Sequence, residues 1–389
     1  MPVLSGLDLF KLKHHKKYRG CRLGLLSNQA SVSRDLIHAG TVISTLCPGD
    51  LKALFGPQHG YAGEDQDNMI ETGHSADNHL RVPVFSLYSE LREPAPEMMD
   101  LIDVLMIDMQ DVGTRVYTFA STMLNCMKAA ANYGKKVVIL DRPNPIGGDV
   151  MEGNLLVPEL YSFVGPWKIP MRHGLTMGEL ALLFNKELSI NCELEIIKME
   201  GWRRSMLWEE TGLPWAIPSP NMPVPETAFV YPGQVIWEGT NLSEGRGTCR
   251  PFEIFGAPYL DTGRILKNIP KEFLAGCFLR EVSFKPTFNK WQDKICRGFM
   301  IHILDKHTFR SFDTVIALLK TVIEIHKKDF EWKDLLYEYE YEKLPIDLIL
   351  GNSDLRKAIQ EGEGMLEIMK IWLSEYKHFN ELRRPYLLY

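Results

Sequence analysis

Three stretches of this sequence crowd side chains that can carry protons or grip oxygen-rich ligands into a few positions each. Asp108, Gln110, Asp111, Arg115 and Tyr117 follow the apolar run Val104–Ile107. Asp141, Arg142 and Asn144 follow a second run, Val137–Leu140. Gln58 and His59 lie in Gly56-Pro57-Gln58-His59-Gly60, on a glycine-rich loop that continues to Glu64. Carboxylates act as general acids and bases, an imidazole titrates near neutrality, and a guanidinium forks onto carboxylate ligands. Converging on one crevice, such groups suit a neutral or anionic polyol. His59 stands out, because neighbouring glycines let the backbone approach a partner closely. Asp108 and Asp141 also have a plainer reading, as caps of the turns that end strands.

The elements that must position these groups follow from hydrophobic pattern. Both apolar runs are too short for helices and suit buried strands. Between them, Thr118–Tyr133 has the length and Ala/Met/Leu content of a helix. A β-loop-α-β unit closes as a right-handed parallel crossover, and open parallel sheets bind ligands beyond the carboxyl ends of their strands. The stretch Asp103–Gly148 is therefore expected to form one wall of an active site. Upstream, Arg22–Ser27, Leu51–Phe55 and Val82–Tyr88 read as strands, and Asp35–Leu46 and Pro94–Leu101 as helices. This alternation predicts an α/β fold: a Rossmann-like parallel-sheet N-terminal domain over 1–157 and a second, smaller α/β domain over 158–389. The active-site cleft is expected between them. No G-x-G-x-x-G follows the first strand and no G-x-x-x-x-G-K-[ST] occurs, so a nucleotide cradle is not expected.

The second half supplies the other candidates. Thr176 and Glu179 form a capping box at the head of a helix, with His173 just before it. The Pro-dense Pro218–Pro225 is a stiff, extended path that presents Ser219 and Asn221. Tyr231–Arg250 reads as a loop bearing Glu238, Asn241, Ser243, Glu244 and Arg246, more polar groups than core packing calls for; it is expected to be the second wall. Arg280–Phe284 and Met300–Leu304 suit strands, while Phe312–His326 and Asp354–Ser374 suit helices. Glu338–Lys343 (EYEYEK) reads as surface.

Bulk properties exclude several classes. A chain of 389 residues is long for a single core, and its formal net charge is −6. The one basic run, Lys11–Arg22, reads as a solvated helix face, so no nucleic-acid partner is expected. No apolar stretch approaches the roughly 18–20 residues of a membrane span. The N-terminus MPVLSGLDLF lacks a secretory pattern, which points to the cytoplasm, or to the periplasm or outside if a leader has been removed. The seven cysteines are scattered without a C-x-x-C pair, so free thiols are expected and a metal site is not.

Several motifs then occur in order: GPQHG, SLY, DMQDVGTRVYT, LDRPNPIGG with EG, RHGLTMGELA, PSPNMP, and EGTNLSEGRGT with PFEIFGAP. Together they resemble the NamZ-type exo-β-N-acetylmuramidases, formerly a family of unknown function, over about residues 20 to 355. The resemblance implies a Rossmann-like domain, a smaller α/β domain, a cleft where they meet, and release of terminal N-acetylmuramic acid from peptidoglycan fragments. It implies no metal or organic cofactor, and a glycan or muropeptide as the partner. The common form of the histidine loop in this family is S/G-P-E-H-G, with the glutamate as leading catalytic carboxylate; Gln58 stands there in this sequence. Glu64 is the nearest replacement, with Asp111 as a further carboxylate on the first wall and Glu238 on the second. His59 would orient or share a proton. Arg115, Arg142 or Arg246 would fork onto the lactyl carboxylate, with Tyr117, Asn144, His173, Ser219, Asn221 and Asn241 as further binding groups. An amide at position 58 also leaves open a non-hydrolytic glycan-binding protein, or a hydrolase of another amino-sugar or ester bond.

Overall fold

A computed structural model describes residues 2–67, 69–334 and 336–389. Its largest layer is a seven-stranded sheet built from β1 (Leu23–Ser27), β2 (Leu51–Gly56), β3 (Ser75–Asp77), β4 (Val82–Ser86), β5 (Val104–Asp108), β6 (Lys136–Leu140) and β9 (Glu193–Ile197). Their order is β3-β4-β2-β1-β5-β6-β9. Neighbours are parallel except β3 on β4, which closes one edge antiparallel. β1 and β5 are buried at every position, as their continuous apolar runs require when helices cover both faces. From β1 the chain works outward through β2 and β4 on one side, then through β5, β6 and β9 on the other. Such a reversal opens a crevice at the strand ends. The helix Phe119–Asn132 bridges β5 and β6, as its Ala/Met/Leu stretch predicts.

The expected boundary at 157 is corrected by β9. Glu193–Ile197 pairs in parallel with Lys136–Leu140, so the first layer continues past that point. Between β6 and β9 lie the small antiparallel pair β7 (Glu152–Leu155) and β8 (Pro170–Arg172) and the helix Met177–Glu187, whose Thr176/Glu179 capping box forms as expected.

The second domain holds a three-stranded antiparallel sheet, β10 (Ile254–Ala257), β12 (Cys296–Ile303) and β11 (Cys277–Phe284), packed with helices. Two expectations fail here. Tyr231–Gly239 is helical rather than loop: the helix Pro225–Gln234 runs into a 3-10 turn, Val235–Gly239. Burial of Ala228, Phe229, Val230 and Tyr231 against neighbouring helices outweighs the poor propensity of Pro232 and Gly233. The single helix expected over Asp354–Ser374 is two, Ser353–Glu361 and Met365–Arg383. Gly362 takes φ 81°, the left-handed conformation that stops a helix.

One hydrophobic cluster runs from Phe55 and Ile107 in the first layer to Phe312 and Trp372 in the second, and another, with Leu25, Leu54, Met106 and Val138, packs the opposite face of the large sheet. Among the described residues no helix is long and apolar enough to cross a membrane.

Candidate active site

The carboxyl end of β2 delivers the first pocket residues. Pro57–Gly60 makes a tight turn in which His59 has φ 72°. Gln58 is buried and fully engaged. Its amide oxygen accepts from the Thr118 hydroxyl (2.6 Å), and its amide nitrogen donates to Tyr88 Oη and to Glu338 Oε1, both at 3.0 Å. His59 Nδ1 lies 2.7 Å from the Asp65 carbonyl oxygen. A carbonyl only accepts, so Nδ1 carries the proton and Nε2 keeps its lone pair. Burial and then the Arg246 charge pull the imidazole pKa down to about 4, so the ring is neutral at pH 7.

The second domain contributes two carboxylates. Glu238, on the 3-10 turn, receives Arg246 Nη2 at 2.7 Å and the Tyr337 hydroxyl at 2.6 Å. Burial pushes its pKa up, but the Arg246 charge and these hydrogen bonds outweigh that, and the net shift is downward. Glu338 sits in different surroundings. Its Oε1 accepts from Gln58 and its Oε2 from the Tyr88 hydroxyl at 2.5 Å, with no cation in hydrogen-bond contact. Burial dominates there, the negative charge of Glu238 adds to it, and the Glu338 pKa is raised. Arg246 directs Nε toward Glu244 (3.3 Å), whose carboxylate also receives Lys290 Nζ (2.9 Å). Arg246 Nη1 is buried without a hydrogen-bond partner among the described residues.

Tyr117, Phe119, Tyr231 and Phe252 line the same cavity, linked edge to face with ring centroids 4.6–6.0 Å apart. Ser219 and Asn221 complete the lining, and Asn221 Nδ2 donates 2.8 Å to the Gln66 carbonyl. The Pro-dense segment is itself tied to the end of β1, where Asn28 Nδ2 donates to the Pro218 carbonyl (2.8 Å).

The cavity thus brings together Gln58, His59, Tyr117, Ser219, Asn221, Glu238 and Arg246 from the sequence reading. The other expected residues lie elsewhere. Glu64 is exposed on its loop. Asp111 is buried, taking the Gly113 amide at 2.6 Å, with His173 Nε2 at 3.5 Å. Arg115 has no exposed surface and donates to four carbonyls, of Asn154, Ile169, Ile349 and Leu350, at 2.8–3.0 Å. Arg142 pairs with Asp108 and lines a separate, smaller cavity with Gln110. Asn144 braces a turn, donating to the Leu175 carbonyl and accepting the Ile146 amide. Asn241 links Asp329 to Tyr259.

The residues that sequence reasoning passed over are Tyr88, Tyr337 and Glu338. Glu338 corrects the surface reading of EYEYEK, being only 4% exposed. It rides on a strap whose Leu336, Glu338 and Tyr339 take φ of 83°, 48° and 68°. A non-glycine residue in that region costs on the order of 1–3 kcal/mol, strain that persists where surrounding contacts hold it. Alternating Tyr and Glu was the only local signal, and it reads equally well as a solvated edge.

A Rossmann-like layer capped by a smaller domain thus presents two buried carboxylates of opposite tendency over aromatic rings, an arrangement able to offer a bound ligand both an acid and an ionised carboxylate. The family model described as exo-beta-N-acetylmuramidase NamZ matches this chain twice, its N-terminal part over residues 23–226 and its C-terminal part over 229–389. The chain belongs to that family. It is 40% identical over 387 residues to the peptidoglycan beta-N-acetylmuramidase NamZ of Bacillus subtilis (strain 168), covering 100% of this chain and 91% of the relative. Two crystal structures of DUF1343 family proteins from Bacteroides fragilis NCTC 9343 share the fold. One has a TM-score of 0.90 at 32% identity and the other 0.76 at 28%, each covering 100% of this chain and 99% of the other.

Proposed function

We propose that this protein is an exo-acting β-N-acetylmuramidase that releases terminal N-acetylmuramic acid from peptidoglycan fragments, with Glu338 as general acid and Glu238 as the ionised carboxylate. One observation carries the assignment. Two carboxylates line one cavity, and their surroundings drive them apart, Glu238 downward beside Arg246 and Glu338 upward in a site without a contacting cation. Glycosidic cleavage needs that division: one acid to protonate the leaving oxygen and one carboxylate to meet the charge developing at the anomeric carbon. Family membership and the likeness to the Bacillus relative support the reaction class and the sugar.

In this reading Gln58 is a donor that orients Glu338, and its amide needs no proton of its own to exchange. Neutral His59 offers Nε2 as an acceptor for a sugar hydroxyl. The unpartnered Nη1 of Arg246 is the donor available to the lactyl carboxylate, and the aromatic rings take the apolar face of the pyranose. The test is release of N-acetylmuramic acid from an N-acetylmuramyl disaccharide. Wild type is expected to turn over, and Glu338→Gln and Glu238→Gln each to lose about 10²–10⁴-fold, the usual contribution of general acid–base groups. Full turnover by either variant would remove its role.

A further inference from the structure

The strap that carries Glu338 belongs to the second domain, and Tyr337 is held there by Glu238, yet Glu338 and Tyr339 are held by the first domain. Tyr88 donates to the Glu338 carboxyl, and Tyr339 Oη reaches Glu71 Oε1 at 3.0 Å. Those two rings meet edge to face, 5.8 Å apart at 75°, and Arg92 sits in the corner they make. Its guanidinium carbon stands 4.2 Å from the Tyr88 ring centroid and 3.8 Å from that of Tyr339, with Glu71 at 3.7 Å from Nη2. A flat cation against two rings and a carboxylate is a directional hold that a lysine cannot reproduce. Tyr337 and Glu340 bond each other's backbones within the strap, and the Glu338 amide donates to Met69 Sδ at 3.3 Å.

Tyr337 and Glu338 of the strap line the pocket, which as it stands has room for one or two waters, while a roomier recess adjoins it at Glu238, lined also by Glu244, Asn289 and Lys290. Gln58, Glu238, Arg246 and Glu338 are each 4–5% exposed. Seating a sugar ring against Glu338 therefore requires the lining, the strap included, to shift. Of the segments bearing site residues, the strap has three strained backbone positions and is anchored through side chains instead of a ladder.

We propose that Arg92 is a positioning residue: seated in the corner formed by Tyr88 and Tyr339, it latches the strap over the bound sugar and fixes the Glu338 carboxyl against Gln58 and Tyr88. The strap then opens for entry and, on closing, returns the acid to the place where Gln58 and Tyr88 hold it. This rests on the reading of Glu338 as the acid. The groups facing Glu338 are Tyr88 and Arg92 from the first domain and Glu238 from the turn, with Gln58 as neutral donor; Arg92 is the cation that opposes the upward shift.

The test compares Arg92→Met, Arg92→Lys and Tyr339→Leu in full-length protein, by kcat and KM on the disaccharide, the pH dependence of kcat/KM, and amide exchange of residues 336–340. Arg92→Met is expected to lose at least tenfold in kcat and to move the alkaline limb to higher pH, since losing the cation raises the pKa of the acid. Arg92→Lys and Tyr339→Leu keep the charge, so they lose rate while the limb stays in place. All three speed exchange in the strap. Wild-type kcat and exchange in Tyr339→Leu would overturn the latch even if Arg92→Met folds poorly. An active Glu338→Gln would instead overturn the acid assignment, whatever Arg92 does.

Discussion

Arg115 and Arg246 are both buried arginines on polar loops, and the sequence offers no reason to rank one above the other. The structure separates them by their partners. Arg115 spends its donors on four main-chain carbonyls, two from the first half of the chain and two from Ile349 and Leu350 in the second. With no carboxylate in hydrogen-bond contact, burial drags its pKa down to about 9. Arg246 is paired with Glu238 and Glu244 instead. Each keeps a buried donor without a hydrogen-bond partner among the described residues, Nε in Arg115 and Nη1 in Arg246, but only Arg246 lines the cavity. The same contrast holds for the two walls. After β5 and β6, Asp108, Arg142, Asn144 and Arg115 bond chiefly to one another and to main-chain groups, whereas Glu238, Arg246 and Glu338 are balanced against one another around a cavity. A buried polar group tied to the main chain holds the fold; one balanced against neighbouring charges beside a cavity is placed to meet a ligand.

Substitutions can break this comparison. The largest expected effect on stability is at Arg115. Arg115→Met takes the guanidinium from four buried carbonyls, of which Leu350 keeps Asn154 Nδ2 as a second donor, and each one left unmet costs about 1–3 kcal/mol, so a calorimetric scan should show a large fall in melting temperature. Activity per folded molecule should survive. A variant as stable as wild type would show that the first arginine is not a brace. Arg246→Met should behave in the opposite way. Without the cation the Glu238 pKa rises, so the acid limb of kcat/KM moves to higher pH, by one pH unit for each roughly 1.4 kcal/mol of carboxylate stabilisation that Arg246 had supplied. An unmoved limb would remove Arg246 from control of Glu238. The smallest effect is expected at Glu64, where Glu64→Gln should leave kcat and melting temperature unchanged. A fall of tenfold or more would return the acid to the loop where the sequence first placed it.

Much of the fold was legible because buried parallel strands announce themselves as short apolar runs. β1, β2, β5 and β6 lie within a residue or two of their expected bounds, and Thr176 caps its helix as its spacing requires. Helical Tyr231–Gly239 was not legible, since Pro and Gly speak against a helix that only tertiary burial can sustain. Within the site, Gln58, His59, Glu238 and Arg246 could be read from residue type and glycine-rich context. Glu338 could not. Its character comes from burial against Gln58 and Tyr88, 280 and 250 residues away, and nothing in EYEYEK encodes that. Arg115 failed for a related reason: a sequence shows that a guanidinium is present, not whether carbonyls or carboxylates await it.

An acid that gives its proton to the leaving oxygen matters most where that oxygen leaves poorly, so the leaving-group dependence of Glu338→Gln isolates its role. Nitrophenolate departs from a nitrophenyl β-N-acetylmuramide with little protonation, while an N-acetylmuramyl disaccharide needs the acid. Glu338→Gln should lose at least tenfold more kcat/KM on the disaccharide than on the nitrophenyl glycoside. Equal losses on the two substrates would contradict that role.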